Sequence, residues 1–234
     1  MSKRRDVEQR NRPIAVDDAP ERRSVIAILA EAGIAGPVMF AGVALVQSLL
    51  RPEHSLVADP ISALAAGPSG WVQDVNFLVF GALMIAYAIG LHLGVHPTRW
   101  GGVGLAFLVL SGVGLVWAGL FPSTDATGAR WDDRVLHIVA FPMTFLGAGI
   151  GLIMMSRRMA GDPRWRRSAT YALATGIAVL LLLLAGAGLV RPPGTPLHPW
   201  WGLFQLVLLA VWLPCTVVLA LRLLGVARAA DAPR

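Results

Sequence analysis

Long apolar stretches alternate along this chain with short polar connectors. A helix needs about 20 residues, rising 1.5 Å each, to cross a hydrocarbon core of about 30 Å. Six stretches meet that length, at residues 24–50, 72–96, 101–121, 135–155, 169–190 and 200–224. The pattern predicts an all-α fold, a six-helix transmembrane bundle. Residues 1–23 form a disordered cytoplasmic tail, 24–224 the six-span domain and 225–234 a second short tail. The first tail is polar, mixed in charge and carries Pro13 and Pro20. The first apolar run ends without a small-residue cleavage site, so it reads as a span and not as a secretion signal.

Pro37, Pro142 and Pro214 fall inside spans, where the missing N–H predicts a kink or a close helix contact. Small residues recur at spacing four, as in Ala86, Gly90 and Gly94 and in Gly147 and Gly151. In lipid, where apolarity alone does not drive helices together, such residues let backbones approach closely.

Composition points to the same solvent. The chain has 234 residues, 56% hydrophobic and 15% charged, against about 25% charged in soluble domains. A chain this short has no soluble core large enough to hide that apolar surface. The net charge of +6 would suit a nucleic-acid partner, but the basic residues sit in connectors between apolar runs. Arg51, Arg130, Arg134 and Arg191 lie on one side, and the other Lys and Arg residues lie on the side of the two ends. The positive-inside rule then predicts a bacterial cell (plasma or inner) membrane protein with both termini cytoplasmic, N-in/C-in. Cys215, the one cysteine, excludes an intramolecular disulfide and cysteine-based metal binding.

Candidate chemistry gathers on the outer side. The first outer connector contains an apolar segment, Ile61, Leu64, Ala65 and Ala66, between Asp59-Pro60 and Gly67-Pro68. It predicts a short amphipathic turn in the interface, with Asp59 either capping it or facing a pocket. Asp74 and Asn76 lie just inside the second span, where a carboxylate either snorkels to water or lines a polar cavity. Asp125 lies in the second outer connector. Asp133 and His137, four apart, share one helical face, so the carboxylate either orients the imidazole or joins it on a metal. His54, His137 and His198 fall at similar outer depth. Three imidazoles and a carboxylate suit a catalytic zinc with an open position, though no pair there has ligand spacing. A hydrogen-bonded polar cluster is the competing reading.

On the inner side His92 and His96 have H-x-x-x-H spacing without a third ligand, and read as helix-end residues favoured by the dipole. Glu31 lies well inside the first span and reads as a buried, hydrogen-bonded carboxylate or an ion site. The basic turn 156–168 has the charge expected of a cytoplasmic loop facing anionic headgroups.

Two functions follow from these residues. The first is a non-enzymatic membrane protein without a cofactor, whose outward-facing pocket takes a lipid headgroup, a small molecule or a partner subunit. Asp59, Asp74, Asn76, Asp125, Asp133, His137 and His198 would line it. The second is a metal-dependent hydrolase of lipid-like substrates, with zinc on His54, His137 and His198. A small transporter is disfavoured by the absence of inverted repeats and of a charged midplane pathway.

The stretch from His54 to Gly81, H-S-L-V-A-D-P-I-S-A-L-A-A-G-P-S-G-W-V-Q-D-V-N-F-L-V-F-G, resembles bacterial and archaeal membrane proteins grouped as domain of unknown function 998. Phe121-Pro122 with Asp125, His137, and Gly202-Leu203 resemble the same family. Relatives often carry Glu-Arg shortly after that Gly-Leu, where this chain has Phe204-Gln205. The resemblance implies a six-span bundle with polar residues on its outer face and transfers no activity.

Overall fold

The computed structural model describes residues 19–67, 69–98, 101–121, 131–190 and 194–229, with the side chains of 19–20 and 131–135 left out. These residues form six long helices and no strand. They are α1 (Ala19–Leu49), α2 (Gly70–Gly94), α3 (Gly101–Leu120), α4 (Trp131–Ala160), α5 (Arg166–Ala185) and α6 (Trp201–Ala229). A π-helical turn, Gly186–Val190, extends α5, and short 3-10 turns at Ile61–Ala65 and His198–Trp200 precede α2 and α6. All six helices are long and apolar enough to cross a membrane.

The helices outrun the expected spans. α1 takes in Ala19–Arg23, assigned above to the tail, and α6 continues to Ala229. Polarity marks where lipid ends, but a helix continues into the headgroup region as long as its residues are good helix formers, as Arg, Ala and Glu are. Residues 1–18 and 230–234 lie outside the described residues.

Each helix packs on the next, and α6 returns to α1 with a lesser contact to α2. The small residues permit this closeness. A Cβ on Gly147 would lie 2.5 Å from the Ser111 amide nitrogen, and one on Gly90 2.6 Å from the Leu29 Cβ. Pro37, Pro142 and Pro214 all lie inside helices.

The end of the bundle that carries the termini is locked by polar bonds. Arg158 of α4 is 3% exposed and reaches the C-terminal carbonyls of α2. Its Nε donates to His96 O at 2.6 Å, and its Nη2 donates to His92 O at 2.8 Å and to Val95 O. Its Nη1 lies 2.9 Å from His92 Nδ1, which must therefore accept. The dipole at the end of α2 is thus met by an arginine from another helix, where the sequence suggested the helix's own histidines. Asp162, 1% exposed, accepts from the His96 N–H at 3.1 Å and from Arg164 Nη2 at 2.7 Å. The Arg164 hydrogen bonds hold its carboxyl down to about 2. The Trp165 indole, fully buried, donates to Gly94 O at 3.3 Å.

Glu31 departs from the sequence expectation. It is an exposed residue on the bundle surface, 3.4 Å from Arg228, in the part of α6 that the sequence placed beyond the span.

Candidate functional site

At the opposite end, the first connector folds back onto the start of α6. The Asp59 carboxylate accepts from the Ser55 N–H at 2.8 Å, and the Ser55 hydroxyl accepts from the Ala58 N–H at 3.2 Å. Asp59 therefore closes the turn before the 3-10 segment and does not cap that segment, whose own N-cap is Pro60. Gly67, at φ +80°, ends the segment in the left-handed region that suits glycine. Ile61, Leu64 and Ala65 are buried against the bundle, so the apolar face of this short turn plugs the bundle end.

Three contacts fix that plug. The Leu203 N–H donates to Val57 O at 3.0 Å. Gly202 sits against the carbonyls of Leu56 and Asp59, where a Cβ has no room. The Gln205 Oε1 accepts from the Ile61 N–H at 2.6 Å.

Below the plug lies a cavity of about 200 Å³. Phe40 of α1, Phe77 of α2, and Leu115 and Ala118 of α3 form one side. His137, Ala140, Phe141, Thr144 and Phe145 of α4 face Trp201, Gln205, Leu209 and Trp212 of α6. Pro60, Ile61 and Ser62 roof it. Its rings form a continuous chain, linked behind the wall by Phe80. Phe40 stacks on Phe80 at 4.6 Å, Phe80 meets Trp212 at 5.9 Å, and Trp212 meets Phe145 at 5.6 Å. Phe145 then meets Phe141 at 4.8 Å, and Phe141 meets Trp201 at 5.5 Å. Such aromatic pairs add about 0.5–1.5 kcal/mol each beyond burial, so the walls are stiff.

A second hollow of about 450 Å³ lies between α1 and α6. It shares Phe40, Ile61 and Leu209 with the first, and otherwise is lined by Ala41, Ala44, Leu45, Leu206, Leu213 and their neighbours. Ser48 is the polar side chain on its wall. Leu45, 52% exposed, places this groove at the lipid-facing surface.

Of the candidate residues, His137 alone among those described lines the cavity. Its Nδ1 donates to Phe121 O at 2.7 Å, while the Trp117 indole donates to Leu136 O at 2.8 Å, so α3 and α4 hold each other at this end. Asn76 is buried and ties α2 to α1, its Nδ2 donating to Phe40 O at 3.1 Å and to Gln73 Oε1 at 3.2 Å. Asp74 is half-buried, with one carboxylate oxygen lacking a hydrogen bond. His198 is exposed, its Nδ1 3.2 Å from Val190 O. Asp125 and the side chain of Asp133 lie outside the described residues.

The zinc reading needs His54, His137 and His198 in one shell. The described residues hold no group of three or more His, Cys, Asp or Glu side chains suited to a metal ion. His54 belongs instead with Arg51 and Asp59 of the connector, and burial pushes its imidazole down from the usual value.

A different polar group gathers where α1 meets α2. Gln47 Oε1, Arg51 Nη2, His54 Nε2, Gln73 Nε2 and Asn76 Oδ1 are buried without hydrogen-bond partners among the described residues. Gln73 is fully buried and was not among the sequence candidates. Helical phase was the available signal, since Gln73, Asn76 and Phe77 share the face of α2 that also buries Phe80. Thr144 was also missed as a lining residue, because it looks from sequence like a lone polar residue in an apolar run, and Gln205 stood out only as the position where relatives carry Glu-Arg.

The chain matches the family described as Protein of unknown function (DUF998) over residues 34–222. It belongs to that family. The DUF998 match takes in the plug, the cavity walls and the arginine lock, but not the start of α1 or the end of α6. No curated protein and no solved structure matches the chain.

Proposed function

We propose that this multi-pass membrane protein is a non-enzymatic binder of a neutral amphiphile drawn from the surrounding bilayer. The observation that carries the reading is the aromatic cavity beneath the plug, which shares Phe40, Ile61 and Leu209 as a common wall with a groove at the lipid face. Concave, mostly apolar sites with a few placed polar groups are the usual form of small-molecule sites. Among the described residues His137 is the one ionisable side chain on the wall, which favours an uncharged ligand body. Ser62, Thr144, His137 and Gln205 receive its polar end, and the groove takes its apolar tail.

The arginine distribution supports a topology with both termini cytoplasmic in a plasma or inner membrane, which turns the plug and cavity outward. Cys215 is buried, so single cysteines added at the plug or at the 161–165 turn can be labelled without background from it. Labelling of both positions from one face of intact cells contradicts that topology.

Native mass spectrometry of the detergent-purified chain with monooleoylglycerol tests the binding. A one-to-one adduct is expected for the wild type. It is expected to vanish in Ala140→Phe, which puts a ring into the cavity from a wall residue that is 3% exposed. An adduct of equal abundance in a folded Ala140→Phe protein refutes the reading.

A further inference from the structure

A third hollow, of about 440 Å³, lies at the end of the bundle that carries the termini, between the turn before α5 and the flank of α6. Pro163, Arg164, Arg167, Ser168 and Arg222 line it. The three arginines are not equivalent. Arg164 is neutralised by Asp162 at 2.7 Å, and that carboxylate is almost fully buried. Arg222 is held by its Nε and Nη2, which donate to Arg164 O at 3.1 and 2.6 Å. Those bonds use the neutral carbonyl as acceptor, so the charge of Arg222 stays uncompensated and its guanidinium is already oriented. Arg167 is exposed, and no acidic partner for it occurs among the described residues.

The setting adds to the imbalance. Arg166 and Arg167 occupy the first turn of α5, which has no acidic residue and no side-chain cap. Positive side chains at the positive end of a helix repel it, while the N–H groups of Ser168 and Ala169 already donate to Trp165 O at 2.8 and 3.0 Å, which leaves side chains to meet an anion. An anion in the hollow would meet the remaining Nη donors of the oriented Arg222 guanidinium, the Arg167 guanidinium and the Ser168 hydroxyl together. A preoriented guanidinium loses little entropy on binding and matches phosphate oxygens with paired donors. The hollow adjoins Arg166, where the long apolar helix α5 begins, a position that suits a headgroup.

The geometry points to a phosphate-binding site at Arg167, Ser168 and Arg222, distinct from the aromatic cavity and independent of its ligand. The phosphate is that of an anionic lipid headgroup or a free phosphate anion, since the recognition chemistry is shared.

The test uses the full chain in detergent, probed separately with phosphatidylglycerol and with inorganic phosphate. Binding is read by native mass spectrometry and by the thermal midpoint. Arg167→Gln with Arg222→Gln is expected to weaken binding by about a hundredfold, because two charge-assisted hydrogen-bonding partners are lost. Arg157→Gln with Arg23→Gln removes the same charge from the same end, and is expected to cost about tenfold through diffuse attraction. Arg167→Gln alone, which breaks none of the bonds described here, guards against loss through misfolding and is expected to fall between the two pairs. Binding of phosphatidylglycerol without a response to inorganic phosphate identifies a headgroup site. Response to both, or to phosphate alone, identifies a site for the anion itself. Equal losses in the two double variants, or no loss in Arg167→Gln, overturn the proposal.

Discussion

Both ends of this bundle bury polar side chains, and they treat them in opposite ways. At the end with the termini, Arg158, Asp162 and Trp165 each have partners, chiefly backbone groups at and just beyond the end of α2. At the other end, Gln47, Arg51, His54, Gln73, Asp74 and Asn76 each keep a buried atom without a hydrogen bond among the described residues. Such an atom costs about 1–3 kcal/mol unless water or a ligand completes it. The first end is closed by the chain itself. The second is left for something else to complete, and the aromatic cavity lies beside it.

Substitutions at the two ends sharpen this contrast. The largest effect is expected at Arg158. Arg158→Ala strips the carbonyls of His92, Val95 and His96 of their donor, with a stability loss of about 3–5 kcal/mol from orphaned acceptors at about 1–3 kcal/mol each. It is read as a fall in the thermal midpoint in lipid nanodiscs. A change no larger than that of the exposed Arg157→Ala removes the lock from the account.

Asp162 comes next. Its carboxyl is depressed to about 2 by the Arg164 hydrogen bonds, from an ordinary 3.8. A depressed carboxyl stabilises the fold above the unfolded value, and the gain is lost as pH falls from about 4 to about 2. Asp162→Asn is expected to cost on the order of 2 kcal/mol at neutral pH and to flatten that acid limb. An unchanged acid limb in the variant locates acid sensitivity elsewhere.

Packing gives a paired comparison. Ala148 is fully buried in the α4 stripe and lines none of the three hollows, so Ala148→Leu is expected to overpack and cost about 1–3 kcal/mol. Ala140 faces the hollow, so Ala140→Leu is expected to cost less than about 1 kcal/mol or to stabilise. Chemical denaturation of both variants decides it. Equal costs mean that the cavity is not an open space.

The smallest effect belongs to His54. Burial lowers its imidazole from the ordinary 6.5, so it is less than half protonated at that pH. Its contribution to stability is present above 6.5 and fades as pH falls through the lowered value. Imidazole resonances followed by NMR against a His54→Gln control test this, and half-protonation above 6.5 refutes it.

The spans were legible because lipid imposes a simple rule, about twenty apolar residues per crossing, and the chain obeys it six times. The site was only partly legible. His137 was found because an ionisable residue at a span boundary stands out. Asp59 was misread, since Asp-Pro before an apolar segment looks like a cap, whereas its carboxylate turns back to Ser55. Arg158 was counted with its neighbour Arg157 as surface charge. Helical phase separates them, since Arg158 follows Ala148, Leu152 and Met155 on the buried stripe while Arg157 falls off it. The cavity itself had no signature in sequence. It arises where α4 and α6 stand apart with rings on both walls, and spacing between helices is a tertiary quantity.

The order in which helices meet around the bundle has a consequence for how the protein is made. Helices that neighbour each other in sequence can pair as they leave the ribosome, two at a time, but the seam between α1 and α6 waits for the last segment. Trp201, Gln205, Leu209 and Trp212 arrive together on that segment, so neither hollow beneath the plug exists in a partly synthesised chain. Insertion of the final helix is the event that both shuts the barrel of helices and creates the chamber inside it.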